Sequence, residues 1–279
     1  MNKTADKKRP PLSTLYRLSP AGHIIAAVSA ALILLHLLTR DDHALMVWAS
    51  ERLVRPVHRA LAVLNDHLPL SVAELLIGLA VIAVLIYIIY TIIKLIRCGG
   101  RLKRLYAAVI NLLAAGLAVY AGFCMLWGVY YYGDDFMSRS GLKNDNISVE
   151  QLETVTEYFA ALVNEYSSQV PRDADGNYVA DRDAILRRSN EVYANVEETL
   201  PCLSGPAVRA KGVHFSRVMS YTDFTGFFFP FTAEANVNTD FPPALFASTV
   251  AHELAHQRGV AKEQEANFAA VLASLEYGD

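Results

Sequence analysis

Residues 75–93 contain no Asp, Glu, Lys or Arg, and neither do residues 106–132. A helix rising 1.5 Å per residue needs about 20 predominantly apolar residues to cross the hydrocarbon core of a bilayer. Every backbone polar group of a spanning segment must be satisfied within it, so each run is expected to be a membrane helix, near 71–96 and 106–132. A shorter run, Ala21–Leu38, holds His23 and His36 and follows the basic leader Lys3, Lys7, Lys8 and Arg9. It is read as a first span near 21–38. The alternative is a cleaved signal peptide, but the run is long for that and lacks a clear small-x-small cleavage site. Only 19% of the chain is charged, against roughly 25% in soluble domains, which agrees.

Charge divides the chain into a membrane anchor, 1–132, and a polar domain, 133–279. The first part carries 14 Lys and Arg against 6 Asp and Glu, the second 11 against 22. An acidic domain excludes nucleic acid as a partner, because neutralising phosphates requires clustered Lys and Arg. The basic leader and the short connection with Arg97, Arg101, Lys103 and Arg104 are expected on the cytoplasmic side. Three spans then place the second domain outside the cytoplasm of a multi-pass cell-membrane protein, with the lipid bilayer as its first partner. Trp127, Tyr130, Tyr131 and Tyr132 sit where an interfacial aromatic belt is expected. Cys98, Cys124 and Cys202 form no disulfide framework.

Between the first two spans, Leu45–Leu64 has apolar residues at helical intervals, which suits a helix lying on the membrane surface or packed on the spans. In the polar domain Ser148 and Gln151 form a capping box, followed by a stripe of Leu152, Val155, Phe159, Leu162 and Tyr166. A second helix is expected from about Asp183 to Thr199, with extended segments at Val213–Met219 and Gly226–Asn238. Pro242-Pro243 then resets the chain into another helix.

That helix carries the chemistry. Residues 252–256 read His-Glu-Leu-Ala-His, and i,i+4 spacing puts both imidazoles on one helical face, able to share one metal ion. Zn2+ suits two imidazoles plus a carboxylate, with a fourth position left for water whose pKa falls to about 7. Glu253, next to a ligand, can accept that water's proton as general base. Gly259 can end the helix in a left-handed turn. The third ligand should come from the following helix, where Glu263 and Glu265 are the candidates. Residues two apart point about 200° apart, so only one can face the metal. Glu263 is favoured because it shares a face with the small Ala266 and with Asn267, whose amide can orient a ligand. Phe227, Phe228 and Phe229 are candidate cleft-lining or core residues. Tyr221, His214, Arg217 and Asn238 are polar candidates for stabilising an oxyanion.

The segments Ser220–Asn238, His252–Gly259 and Glu263–Phe268 together resemble the bacterial membrane family of domain of unknown function 3810. The resemblance implies a zincin-like extracytoplasmic domain and supplies no substrate. Members of that family are expected to continue past the Glu-Ala-Asn-Phe helix. Glu263-Gln-Glu-Ala-Asn is also similar to a Glu-x-x-Ala-Asp/Asn element of other membrane metallopeptidases, where the first glutamate binds zinc, and this supports Glu263. The expected architecture is thus a three-helix membrane anchor plus an α+β zincin-like metallopeptidase domain cleaving a peptide or protein substrate. The alternative is a non-catalytic membrane sensor or scaffold with a structural or regulatory zinc site. A reporter fused after Gly141 should read as extracytoplasmic and one fused within 97–104 as cytoplasmic. Protease added outside intact cells checks this, and cleavage confined to the 97–104 loop would reverse the orientation.

Overall fold

The computed structural model describes residues 15–142 and 147–278; the basic leader, Lys3 to Arg9, lies outside the described residues. Three helices are long and apolar enough to cross a membrane: α1 (Pro20–Thr39), α4 (Val72–Arg97) and α5 (Arg101–Leu126). Together with a small mixed sheet and its helices they fit a membrane anchor plus an α+β domain. The last span ends earlier than expected. Trp127 leaves helical geometry and residues 128–131 form a single 3-10 turn, so the aromatic cluster follows the helix instead of extending it.

Two compact units divide the chain, residues 1–41 with 76–128 and residues 42–75 with 129–279. In the first, α1 and α5 meet through small residues, with Gly22 and Ser29 buried on one helix and Ala108, Ala114 and Ala121 on the other. Close backbone approach is the usual solution where lipid removes the hydrophobic drive for helices to associate. Polar contacts add to it, with Ser19 donating to Asn111 at 2.5 Å and Asn111 donating to Tyr87 at 2.8 Å.

In the second unit residues 42–75 pack with the chain from Val129 onwards. Helix α2 (His43–Ala49) passes through one π-helical turn at 50–54 into α3 (Arg55–Asp66). The buried side of α3 presents His58, Ala62 and Asn65. Asn65 Nδ2 donates to the Thr232 carbonyl at 2.8 Å, which ties this helix to the turn before β3.

After α6 (Phe136–Ser140), α7 (Val149–Ser167) starts at the expected capping box, yet no residue on it is buried and Leu152, Val155 and Tyr166 are exposed. The helix expected over 183–199 is broken into α8 (Arg182–Arg188) and α9 (Val196–Thr199). Ser189 interrupts it, since its hydroxyl donates to the Leu186 carbonyl and accepts from Ala210 N. The sheet has the order β1-β3-β2, with β1 (Lys211–Val213) parallel and β2 (Gly226–Phe229) antiparallel to the central β3 (Glu234–Asn238). Residues 213–219 do not run on as a strand. Ser216 Oγ donates to the Val213 carbonyl and accepts from Thr239 N, turning the chain into α10 (Ser216–Ser220). Pro230 lies in the turn between β2 and β3, where no ladder hydrogen bond is lost. Helices α11 (Pro243–Gln257) and α12 (Glu263–Tyr277) close the unit over a core of Phe136, Tyr193, Phe246, Leu254, Val237 and Val260.

One buried carboxylate organises the sheet. Glu234 accepts from Lys211 Nζ at 2.6 Å, from Thr232 Oγ1 at 2.8 Å, and from the amides of Val72 and Ala73 at 3.1 and 2.7 Å. It thus caps α4 from a distant strand, where first-turn amides have no helical partner. Lys211 Nζ also donates to the carbonyls of Asn65 and Leu70. Glu234→Ala should destabilise the protein by about 3–5 kcal/mol, because it strands a buried ammonium. Thermal unfolding in detergent checks this, and Lys211→Met/Glu234→Leu, which removes both charges, should lose less.

Candidate functional site

The site is built on α11 and α12. Pro243 opens α11 at a position where its missing N–H costs nothing. Phe246, Val250 and Leu254 then bury one stripe, which turns the stripe bearing His252 and His256 towards α12. Gly259, at φ +79°, reverses the chain in a left-handed conformation that suits glycine. Arg258 locks this end of the helix, lying over the Tyr193 ring at 4.2 Å and pairing with Glu197 at 3.1 Å.

His252, His256 and Glu263 converge, their ligating atoms all within 4.8 Å of one another. Glu263 Oε2 lies 3.2 Å from His252 Nε2, and Glu263 Oε1 lies 3.6 Å from His256 Nε2. Two imidazole nitrogens and a carboxylate oxygen gathered in this way could hold a metal ion. The other ring nitrogens are held: His252 Nδ1 meets Asn267 Oδ1 at 2.9 Å, and His256 Nδ1 meets the Val260 carbonyl at 2.7 Å. Such partners fix ring orientation and tautomer, leaving Nε2 to face the cluster. Burial is the main influence on His256 and lowers its pKa, favouring the neutral imidazole that ligation requires.

Glu265 turns the other way. It is buried, and its Oε2 accepts from Phe136 N at 2.9 Å at the start of α6, while Oε1 lies 3.8 Å from Lys262. The two carboxylates weighed for one role therefore occupy different places, one beside both histidines and one within the fold.

Residues 50–279 match a family described as a protein of unknown function, DUF3810. The chain belongs to this family. No curated protein and no solved structure matches it. The DUF3810 match spans α11, α12 and the sheet, and it begins within the segment before α4 that the fold assigns to the second unit.

Glu253 is the unusual group of this DUF3810 site. It is 4% exposed, and its Oε2 has no hydrogen-bond partner among the described residues. Burial, and secondarily the Glu263 carboxylate, push its pKa up to about 8. The space for it comes from Gly226, where a Cβ would stand 2.6 Å from Glu253 Oε1 and 2.9 Å from the Asn236 carbonyl. Gly226 was not singled out from the sequence, although a glycine opening a strand is a signal for close approach.

An open cleft of about 520 Å³ borders His252 and Glu263 and is lined by Thr225, Ser248, Thr249, Asn267 and Val271. The three consecutive phenylalanines do not line it. Phe228 packs against His58 and the small cluster around Ala62, and Phe227 meets Phe229 edge to face. The four polar candidates also lie elsewhere: His214 meets Glu74, Asn238 holds Ser220 and the Phe224 carbonyl, Tyr221 is 83% exposed, and Arg217 is not part of the lining. Gly226→Ala should cost about 1–3 kcal/mol as an overpacking change. Gly116→Ala, with nothing within 4 Å of the added carbon, should leave the midpoint unchanged or slightly raised. Thermal unfolding of both variants in detergent tests the contrast.

Proposed function

We propose that this chain is a membrane-anchored zinc metallopeptidase of the HExxH class, with a zincin-like catalytic domain held outside the cytoplasm. The observation that carries the reading is the pairing of two groups. His252, His256 and Glu263 converge on one point, and beside them lies a buried carboxylate, Glu253, that none of them uses. A structural metal site needs ligands but no such neighbour, whereas hydrolysis needs a base one residue round the helix from a ligand.

Bound zinc supplies a Lewis acid that brings the pKa of a coordinated water to about 7. The side chains then divide the work. His252, His256 and Glu263 hold the ion, and Asn267 and the Val260 carbonyl orient the two imidazoles. Glu253 takes the proton of the attacking water as the new C–O bond forms, and returns it to the amine nitrogen as the peptide C–N bond breaks. A carboxyl group with a raised pKa suits both halves of that exchange near neutral pH. Strand β2 is at the sheet edge, which suits an extended peptide held by main-chain hydrogen bonds.

In purified protein, His252→Ala, His256→Ala and Glu263→Ala should each lower zinc content strongly, while Glu265→Ala should retain it. Glu253→Gln should keep zinc, since the amide is close in size, and lose about 10²–10⁴-fold in cleavage of unfolded envelope proteins. That is about 3–5 kcal/mol of barrier. Equal cleavage by wild type and Glu253→Gln would overturn the mechanism. A zinc-loaded wild type that cleaves nothing would leave the sensor or scaffold reading.

A further inference from the structure

Between β1 and β2 the chain forms a shoulder with hydrogen-bonded polar groups inside and four large apolar side chains outside, among which Arg217 and Asp223 are exposed as well. Inside, Asn238 Nδ2 donates to Ser220 Oγ and to the Phe224 carbonyl, and Ser216 bridges Val213 and Thr239. Outside, Phe215 is 66% exposed, Val218 62%, Tyr221 83% and Phe224 59%. Phe215, Val218 and Tyr221 are three apart along and beside α10 and share a side, and Phe224 follows the left-handed turn at Asp223. Exposed apolar groups in such a cluster mark an interaction surface.

The structure also places this shoulder at the head of a membrane helix. Glu74, in the first turn of α4, accepts from Phe215 N at 2.7 Å and from His214 N at 3.0 Å. From Leu75 the same helix is the uncharged run that reaches Ile93. The hydrocarbon boundary therefore falls within about one helical turn, 5.4 Å, of the residue that holds the shoulder. Leu68 and Leu70, just before α4, are exposed as well. Phenylalanine and tyrosine are side chains that favour the headgroup level of a bilayer, where the exposed Arg217 and Asp223 can stay hydrated.

We infer that residues 215–224 form a second, non-spanning contact with the bilayer, in which Phe215, Val218, Tyr221 and Phe224 sit in the lipid interface beside the start of α4. Thr225, the next residue, lines the cleft at His252, so this contact sets the level of the cleft mouth against the lipid surface. The inference rests on α4 spanning a membrane and is independent of zinc or turnover.

The test uses the full-length protein reconstituted in phosphatidylcholine vesicles, with its three cysteines replaced and a single environment-sensitive fluorophore attached at Tyr221→Cys or Phe224→Cys. Control positions are Glu153→Cys and Asp175→Cys, both on exposed polar sites. The expected result is a blue-shifted, severalfold brighter signal at 221 and 224 that is lost when the vesicles carry lipids spin-labelled near the headgroup, with no change at the controls. Water-like emission at 221 and 224 would overturn the inference, and so would a blue shift that spin-labelled lipid leaves intact, since that reports a protein partner or a second copy. If the cysteine-free protein does not fold, Tyr221→Trp in the native background serves instead, read as quenching by brominated lipid in excess of wild type. Zinc content measured on the same samples separates failure here from failure of the metallopeptidase reading.

Discussion

Glu234 is a carboxylate at 3% exposure, and taking such a charge out of water costs several kcal/mol unless its partners compensate. Its partners come from three directions: an ammonium on β1, a hydroxyl in the turn before β3, and the first amides of α4. Satisfying one group therefore fixes three elements at once. The central strand is held against the start of a helix that continues into the apolar anchor, and Lys211 extends the network to the end of α3 through the Asn65 carbonyl. Once β3 is placed, β2 follows by antiparallel pairing, and Gly226 is brought to the point where it faces Glu253.

The periodic parts of this arrangement were legible in the sequence. A run without charges can be read as a membrane helix from residue type alone, and an i,i+4 histidine pair needs only helical geometry to share a face. The angle between successive helical residues says only that Glu263 and Glu265 must part, and in the structure Glu263 lies beside both histidines while Glu265 meets Phe136 N. What could not be read were long-range commitments. Nothing local in residues 42–75 says that they belong with the second unit, because the ties are single contacts such as Asn65 to Thr232, 167 residues apart in sequence. The break in the helix expected over 183–199 has the same origin, since Ser189 is engaged by Ala210. The stripe on α7 shows the converse. Its pattern and cap predicted a helix correctly, but an apolar stripe does not reveal what covers it, and among the described residues it stays exposed.

The placement of Glu253 runs against stability. Its burial opposes ionisation, the nearby Glu263 opposes it further, and one of its oxygens has no partner among the described residues. A chain selected for stability alone would gain from glutamine or an apolar residue at this position. Departures of this kind from local consistency are expected mainly at functional sites. The surrounding fold nevertheless prepares the position in detail. Gly226 gives up a side chain to admit the carboxylate, Tyr193 donates to the Ala251 carbonyl two residues away at 2.9 Å, and Gln257 ties the far end of the helix to the Ala233 carbonyl. Rigidity around a group that is itself poorly solvated is what preorganised proton transfer requires, since the group then needs no reorganisation when charge moves. On the proposed reading, the energetic cost of burying Glu253 and the catalytic use of its raised pKa are two consequences of one placement, the contact of α11 with the edge strand at Gly226.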